Sequence, residues 1–228
     1  MSVKIRIVCA TREAPDQFGV KTALGRSLAL YRFPFLDLRL FPSNSAGLPL
    51  VYNTALRESV ADPAILMFIH DDVHLLDFYW PEKLLQGLQS FDIIGLAGNK
   101  RRVPGQPSWM FLDDKFARDA AENFSGVVAH GKSWPAQIIS YYGAPGQEVK
   151  LLDGLMMAAN SETLLAKNVR FDELFDFHFY DLDFCREAES RGLRMGTWPI
   201  QVMHESSGAL GSPGWRRCYE TYLTKWQT

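Results

Sequence analysis

Five consecutive apolar residues, Ile65-Leu66-Met67-Phe68-Ile69, run directly into His70-Asp71-Asp72-Val73-His74. An apolar run of that length predicts a strand buried on both faces, which needs helices on either side of its sheet. Adjacent carboxylates at the strand's C-terminal end repel unless a cation or hydrogen bonds compensate. Open α/β sheets hold their ligands beyond that end of the strands. The run therefore directs the chain to α/β architecture and points to a divalent-cation site at Asp71 and Asp72. If the backbone stays extended the two side chains alternate, so one ligates metal while the other holds a hydroxyl or a backbone group. Magnesium and manganese suit oxygen ligands, and manganese also accepts imidazole. A solvated turn accommodates the same residues equally well.

The remaining pattern repeats strand and helix. Ile5 to Ala10 reads as a strand, residues 17–31 as a helix and Phe35 to Phe41 as a second strand. Tyr52 to Ala61 reads as a helix stopped by Asp62-Pro63, Pro81 opens a helix to about Leu88, and Asp92 to Gly98 forms one core strand. This alternation predicts a largely parallel sheet. Residues 99–150, rich in Gly, Pro, Trp and Tyr, read as a pocket-shaping insertion with short strands near 126–129 and 137–142. Trp109, Trp134 and Tyr141 within it suit a sugar-binding surface or the core. Beyond it, Asp153-Gly154 interrupts an apolar run from Val149 to Ala159, and Ser161 is placed to cap a helix over 162–167. A helix opens at Asp181 or Leu182 and ends near Gly192, short strands follow at 194–198 and 201–204, and Ser206 to Pro213 is a flexible tail by composition. Residues 215–226 complete the pattern as a helix.

A formal net charge of −2, from 24 basic and 26 acidic residues, argues against a nucleic-acid partner. Cys9, Cys185 and Cys218 are widely separated, with no zinc spacing and no disulfide framework. No apolar stretch reaches membrane-span length, and Met1 leads almost directly into a strand without signal-peptide character. A soluble cytoplasmic protein is the expectation, with peripheral membrane contact left open.

Two further clusters carry chemistry. Phe177-His178-Phe179-Tyr180-Asp181-Leu182-Asp183 delivers Asp181 to a helix mouth amid aromatics. There it is either a cap or a carboxylate with a raised pKa that serves as a general base. Asp183 and Arg186 are spaced to pair on one helical face. His204, after Gln201-Val202-Met203 and before Glu205-Ser206-Ser207-Gly208, is a strand-end histidine, either structural or a second metal ligand.

Together these segments resemble the nucleotide-sugar-dependent glycosyltransferases of GT-A fold, particularly the inverting family 2. The resemblance rests on Phe68-Ile69-His70-Asp71-Asp72-Val73, Asp153-Gly154-Leu155-Met156-Met157-Ala158, Tyr180-Asp181-Leu182-Asp183-Phe184-Cys185-Arg186 and Val202-Met203-His204, with the Phe171-Asp172-Glu173 segment between them, across roughly residues 5–208. It implies one Rossmann-like domain over residues 1–228, with a mostly parallel central sheet flanked by helices. The nucleotide-binding half would be about 1–98 and the acceptor-shaping half about 99–228. It assigns Asp72 and His204 to a manganese or magnesium ion, and Asp181 to deprotonation of the acceptor. Thr11, Arg12, Glu13, Asn44, Asn53, Asp71, Asp72, Asp153 and Gly154 would meet the donor, and Trp109, Trp134, Tyr180 and Asp181 the acceptor. The implied reaction is inverting, hexosyltransferase-like transfer from a nucleoside-diphosphate sugar, uridine diphosphate being favoured, to a glycan, lipid-linked or small-molecule hydroxyl. His70 and Tyr180 stand where the family more often shows acids. They keep a non-catalytic GT-A-fold binding or scaffold protein in view. A nucleotide-sugar hydrolase or nucleotidyltransferase is the other alternative, although Thr11-Arg12-Glu13-Ala14-Pro15 lacks the phosphate-binding glycine run that such chemistry favours.

Overall fold

The computed structural model describes residues 3–206 and 210–227, so Ser207 and Gly208 of the His204 segment, and the centre of the expected tail, lie outside the described residues. The first half of the chain lays down β1 (Ile5–Ala10), α1 (Pro15–Lys21), α2 (Ala23–Leu28), β2 (Leu36–Phe41), α3 (Leu48–Glu58), β3 (Ile65–Ile69) and β4 (Val73–Leu75). These are followed by α4 (Trp80–Ser90), β5 (Ile93–Gly95), β6 (Ala97–Asn99), β7 (Phe124–His130), β8 (Ile138–Gly143), β9 (Glu148–Val149) and β10 (Leu151–Leu152). The chain then adds β11 (Met156–Asn160), α5 (Ser161–Ala166), α6 (Tyr180–Ser190), β12 (Met195–Thr197), β13 (Val202–His204) and α7 (Pro213–Trp226).

Seven strands form the main sheet in the order β2-β1-β3-β11-β5-β12-β9. β2, β1 and β3 are parallel. β11 runs antiparallel between β3 and β5, β12 is parallel to β5, and β9 is reversed at the edge. All five residues of β3 are buried, as expected of a strand covered on both faces. A second sheet, β10-β6-β7-β13-β4 with β8 added on β7, carries the insertion and the strand that ends in His204. Among the described residues no helix is long and apolar enough to cross a membrane.

Three local expectations are corrected. The helix read over 17–31 is two helices, because Thr22 is extended and its hydroxyl both donates to the Phe18 carbonyl and accepts from Gly25 N–H. A Cβ at Gly25 would lie 2.1 Å from that same carbonyl oxygen, so the break depends on glycine. The strand read over 92–98 is split between the two sheets, crossing at Leu96. Gly126, at φ +113°, makes room for the crossing, since a Cβ there would sit 2.1 Å from the Leu96 carbonyl oxygen. Finally, Asn160 rather than Ser161 caps α5. The Ser161 hydroxyl instead accepts from Ala64 N–H and joins α5 to the start of β3.

Candidate active site

β1 and β3 run side by side in parallel, with Val8 opposite Phe68. Continued past the strand ends, that register sets Thr11 beside Asp71, and the Thr11 hydroxyl donates to Asp71 Oδ2 at 2.6 Å. Burial pushes the Asp71 carboxyl up, while this hydrogen bond opposes the rise. Around the pair opens a cleft of about 530 Å³, lined by Thr11, Arg12, Glu13, Asn44, His70, Asp71, Asp72 and Phe177 among others. Asn44 faces it from a loop that its own side chain closes onto Ala46.

The chain turns between β3 and β4, so the strand does not continue through Asp71 and Asp72 and alternation does not apply; the turn instead sets Asp72 directly before β4. β4 pairs antiparallel with β13, with Val73 opposite His204. That pairing brings His204 Nε2 to 3.2 Å from Asp72 Oδ2. Burial alone would pull the imidazole down and push the carboxyl up. The mutual hydrogen bond and charge outweigh it, raising His204 and lowering Asp72. The other oxygen, Asp72 Oδ1, is buried without a hydrogen-bond partner, a costly state for a carboxylate. Among the described residues, no group of three or more His, Cys, Asp or Glu side chains is arranged around a metal position.

A second cleft, of about 420 Å³, opens on the other side of His70 and Asp72. Trp109, Asp153, Gly154, Tyr180, Asp181 and His204 line it. Phe179 precedes α6 in the left-handed region, at φ +66°, and this turns Tyr180 and Asp181 back toward Gly154. Asp181 Oδ2 accepts from Gly154 N–H at 3.0 Å, and Oδ1 accepts from Leu182 N–H at 2.9 Å. The carboxyl is nonetheless pushed up to about 7, first by burial and then by the charge of Asp153. Asp153 is held in turn by the Trp109 indole N–H at 2.8 Å. Asp183 does not pair with Arg186: it takes Lys225 and the Trp226 indole N–H from α7.

His70 and Tyr180, where the resemblance leads one to expect acids, touch each other. His70 Nε2 lies 2.8 Å from the Tyr180 hydroxyl, which lies 2.8 Å from the Gly154 carbonyl oxygen. A carbonyl only accepts, so the hydroxyl proton points to Gly154 and His70 Nε2–H donates to Tyr180. Burial keeps the imidazole neutral by lowering its pKa, leaving Nδ1 as the lone-pair nitrogen. The ring stacks on Phe177, with centroids 5.7 Å apart.

The structure thus gathers Thr11, Arg12, Glu13, Asn44 and Asp71 at the first cleft. Asp153, Gly154, Trp109, Tyr180, Asp181 and His204 gather at the second, and Asp72 lies on both. Two expected site residues fall elsewhere. Asn53 is buried in α3, where its amide donates to the Phe171 carbonyl and accepts from the Phe171 N–H. It ties α3 to the segment after α5, bonding Phe171 and Glu173, and lines a separate cavity beside that segment. Trp134 is 75% exposed, in the turn between β7 and β8, outside the lining of either cleft. The Lys100-Arg101-Arg102 run is occupied on its own surface, with Arg101 on Asp119 and Arg102 on Glu189. His130 and Tyr142 of the β7–β8 hairpin, Trp215 of α7 and His178 of the Phe177–Asp183 segment join the second cleft; of these only His178 lies in a segment that the sequence singles out.

A Rossmann-like sheet with carboxylates at the ends of its parallel strands, beside a second sheet that closes an adjoining cleft, defines the GT-A class of glycosyltransferase. Residues 43–206 match the model of the Glycosyltransferase like family, and the chain belongs to that family. A crystal structure of S. aureus TarS 1-349 is similar in fold, at TM-score 0.50 and 15% identity over 89% of this chain and 60% of that one. The same TarS fragment in complex with UDP gives TM-score 0.50 and 15% identity over 90% and 61%. A197 from STIV gives TM-score 0.50 and 11% identity over 92% and 98%. The chain therefore spans about 60% of the TarS fragment it matches. No curated protein matches it in sequence.

Proposed function

We propose that this chain transfers a sugar from a nucleoside diphosphate to an acceptor hydroxyl with inversion at the anomeric carbon, assisted by magnesium or manganese. One observation carries the reading: the two clefts share His70, Asp72 and Phe177, and Asp181 stands on the wall of the second. A donor in the first cleft would present its anomeric carbon at that junction, facing an acceptor in the second. UDP is the nucleotide to test first, being the ligand in the TarS complex.

Asp72 and His204 fit an ion held partly by the donor. Asp72 Oδ1 is buried and unpartnered, and magnesium sites commonly use one or two carboxylates, with phosphate oxygens completing the shell. When bound there, the ion would neutralise charge on the departing diphosphate. Asp181 takes the proton of the acceptor hydroxyl as its oxygen bonds to the anomeric carbon. The carbon–oxygen bond to the diphosphate breaks on the opposite face, and the electron pair leaves with the nucleotide. With its carboxyl raised to about 7, Asp181 is a far better proton acceptor than an ordinary aspartate and is ionised from neutrality upward. Trp109 and the Gly154 N–H fix the Asp153 and Asp181 carboxylates, and the His70–Tyr180 tie holds the wall between the clefts.

The test is thermal stabilisation by UDP, GDP and TDP sugars with and without manganese, followed by product analysis. A shift for one nucleotide that needs metal, with a sugar of inverted configuration on an acceptor, supports the proposal. Free sugar as the sole product replaces it with hydrolysis. Binding without turnover, unchanged in Asp181→Asn, replaces it with a scaffold role.

A further inference from the structure

Outside both clefts, the free edge of the second sheet is apolar and bare. Among the described strands β8 pairs only with β7. Ile138, Ile139 and Tyr141 on it are 63%, 69% and 68% exposed, and Trp134 in the preceding turn is 75% exposed. Adjacent residues of a strand point to opposite faces, so Ile138 and Ile139 leave both faces of the hairpin tip greasy. A protein docked on one face would leave the other in water, whereas a lipid headgroup layer surrounds a projecting tip on both sides. Tryptophan and tyrosine suit that layer, each ring having an apolar body and a polar edge.

The charge pattern agrees. From Asn123 to Gln147 the only formally charged side chain is Lys132, at the hairpin turn. A stretch of that length at this chain's acid density would carry about three carboxylates. An acid-free apolar tip with one cation complements an anionic bilayer surface. The hairpin is also continuous with the second cleft, since His130 at the end of β7 and Tyr142 of β8 line it.

We propose that the β7–β8 hairpin seats the protein on an anionic lipid surface, inserting Trp134, Ile138, Ile139 and Tyr141 at headgroup depth beside the mouth of the second cleft. Flotation with vesicles of equimolar phosphatidylcholine and phosphatidylglycerol, against phosphatidylcholine alone, tests it. The protein is expected to float with the mixed vesicles and far less with the neutral ones. The double variant Ile138→Ser/Ile139→Ser lowers the partition coefficient roughly tenfold or more, and Lys132→Glu removes the preference for anionic lipid. Circular dichroism checks that both variants fold, and the exposed positions make unfolding no explanation of the loss. The proposal is overturned if the wild-type protein floats with neither vesicle. It is also overturned if the double variant floats as the wild type does, or if sedimentation velocity shows the hairpin joining two copies of the chain instead. UDP binding is read separately in every sample, so failure of the donor assignment leaves the lipid result standing, and the reverse.

Discussion

Replacing Asp181 with Asn separates catalysis from stability, because the surroundings that would suit this carboxylate to the proposed base role also make it a burden on the fold. Its carboxyl is raised from the ordinary 3.8 to about 7, by burial first and Asp153 second. The folded state therefore holds the proton more tightly than the unfolded chain, and native stability falls as pH rises between those two values. Each tenfold in proton affinity is about 1.4 kcal/mol. The wild-type protein should then lose about 2.5 kcal/mol between pH 5 and pH 8 that Asp181→Asn does not lose. The substitution also turns an amide N–H₂ toward either the Gly154 or the Leu182 N–H, a cost that is the same at both pH values and cancels in the comparison. Urea unfolding of both proteins at pH 5 and pH 8 measures the difference. Transfer should be lost in the variant, and the wild-type rate should climb with pH through about 7. Equal pH dependence of stability in the two proteins would refute the assignment of Asp181 as a raised carboxyl.

Three further substitutions probe the surroundings. Tyr180→Phe leaves His70 Nε2–H without an acceptor and the Gly154 carbonyl without a donor, which should cost about 1–3 kcal/mol in urea unfolding. Nitrogen NMR of His70 should show the Nε2–H tautomer in the wild type and its loss of dominance in the variant. Asn53→Ala removes two buried hydrogen bonds to Phe171 and should destabilise by about 2–3 kcal/mol with UDP affinity unchanged by calorimetry. A fall in affinity without a fall in stability would return Asn53 to the donor site. Lys225→Met strips the cation from Asp183, which is fully buried and already has one oxygen unpartnered. A loss of about 3 kcal/mol is expected in chemical denaturation, and a neutral result would mean that the carboxyl is protonated in the fold.

Long apolar runs and strand-end polar residues were readable because burial on both faces leaves an unambiguous mark. β1 and β3 lie where their apolar runs lie, and Asp71, Asp72 and His204 stand at strand ends as their neighbours imply. The breaks were not readable. Thr22 ends α1 through hydrogen bonds to Phe18 and Gly25, a choice that helical periodicity does not record. The sheet change at Leu96 depends on Gly126, thirty positions away in the chain and adjacent only in space. Asn53 and Trp134 lie outside the two clefts for the same reason in opposite senses. A buried asparagine bonded to a distant backbone and a tryptophan left in water look alike in a sequence, where neither partner nor solvent is visible. The second cleft draws His130 and Tyr142 from the β7–β8 hairpin, His178 from the segment before α6 and Trp215 from α7, so tertiary packing alone assembles it.

The bond between His70 and Tyr180 makes the two positions one heritable unit. A carboxylate introduced at position 70 alone would face the Tyr180 hydroxyl, which must then abandon the Gly154 carbonyl to donate to it. An acid introduced at position 180 alone would strand His70 and add a third carboxyl beside Asp153 and Asp181. Either single step loses a hydrogen bond that the pair now makes. A double substitution that changes both positions together should therefore cost less than the sum of the two single ones.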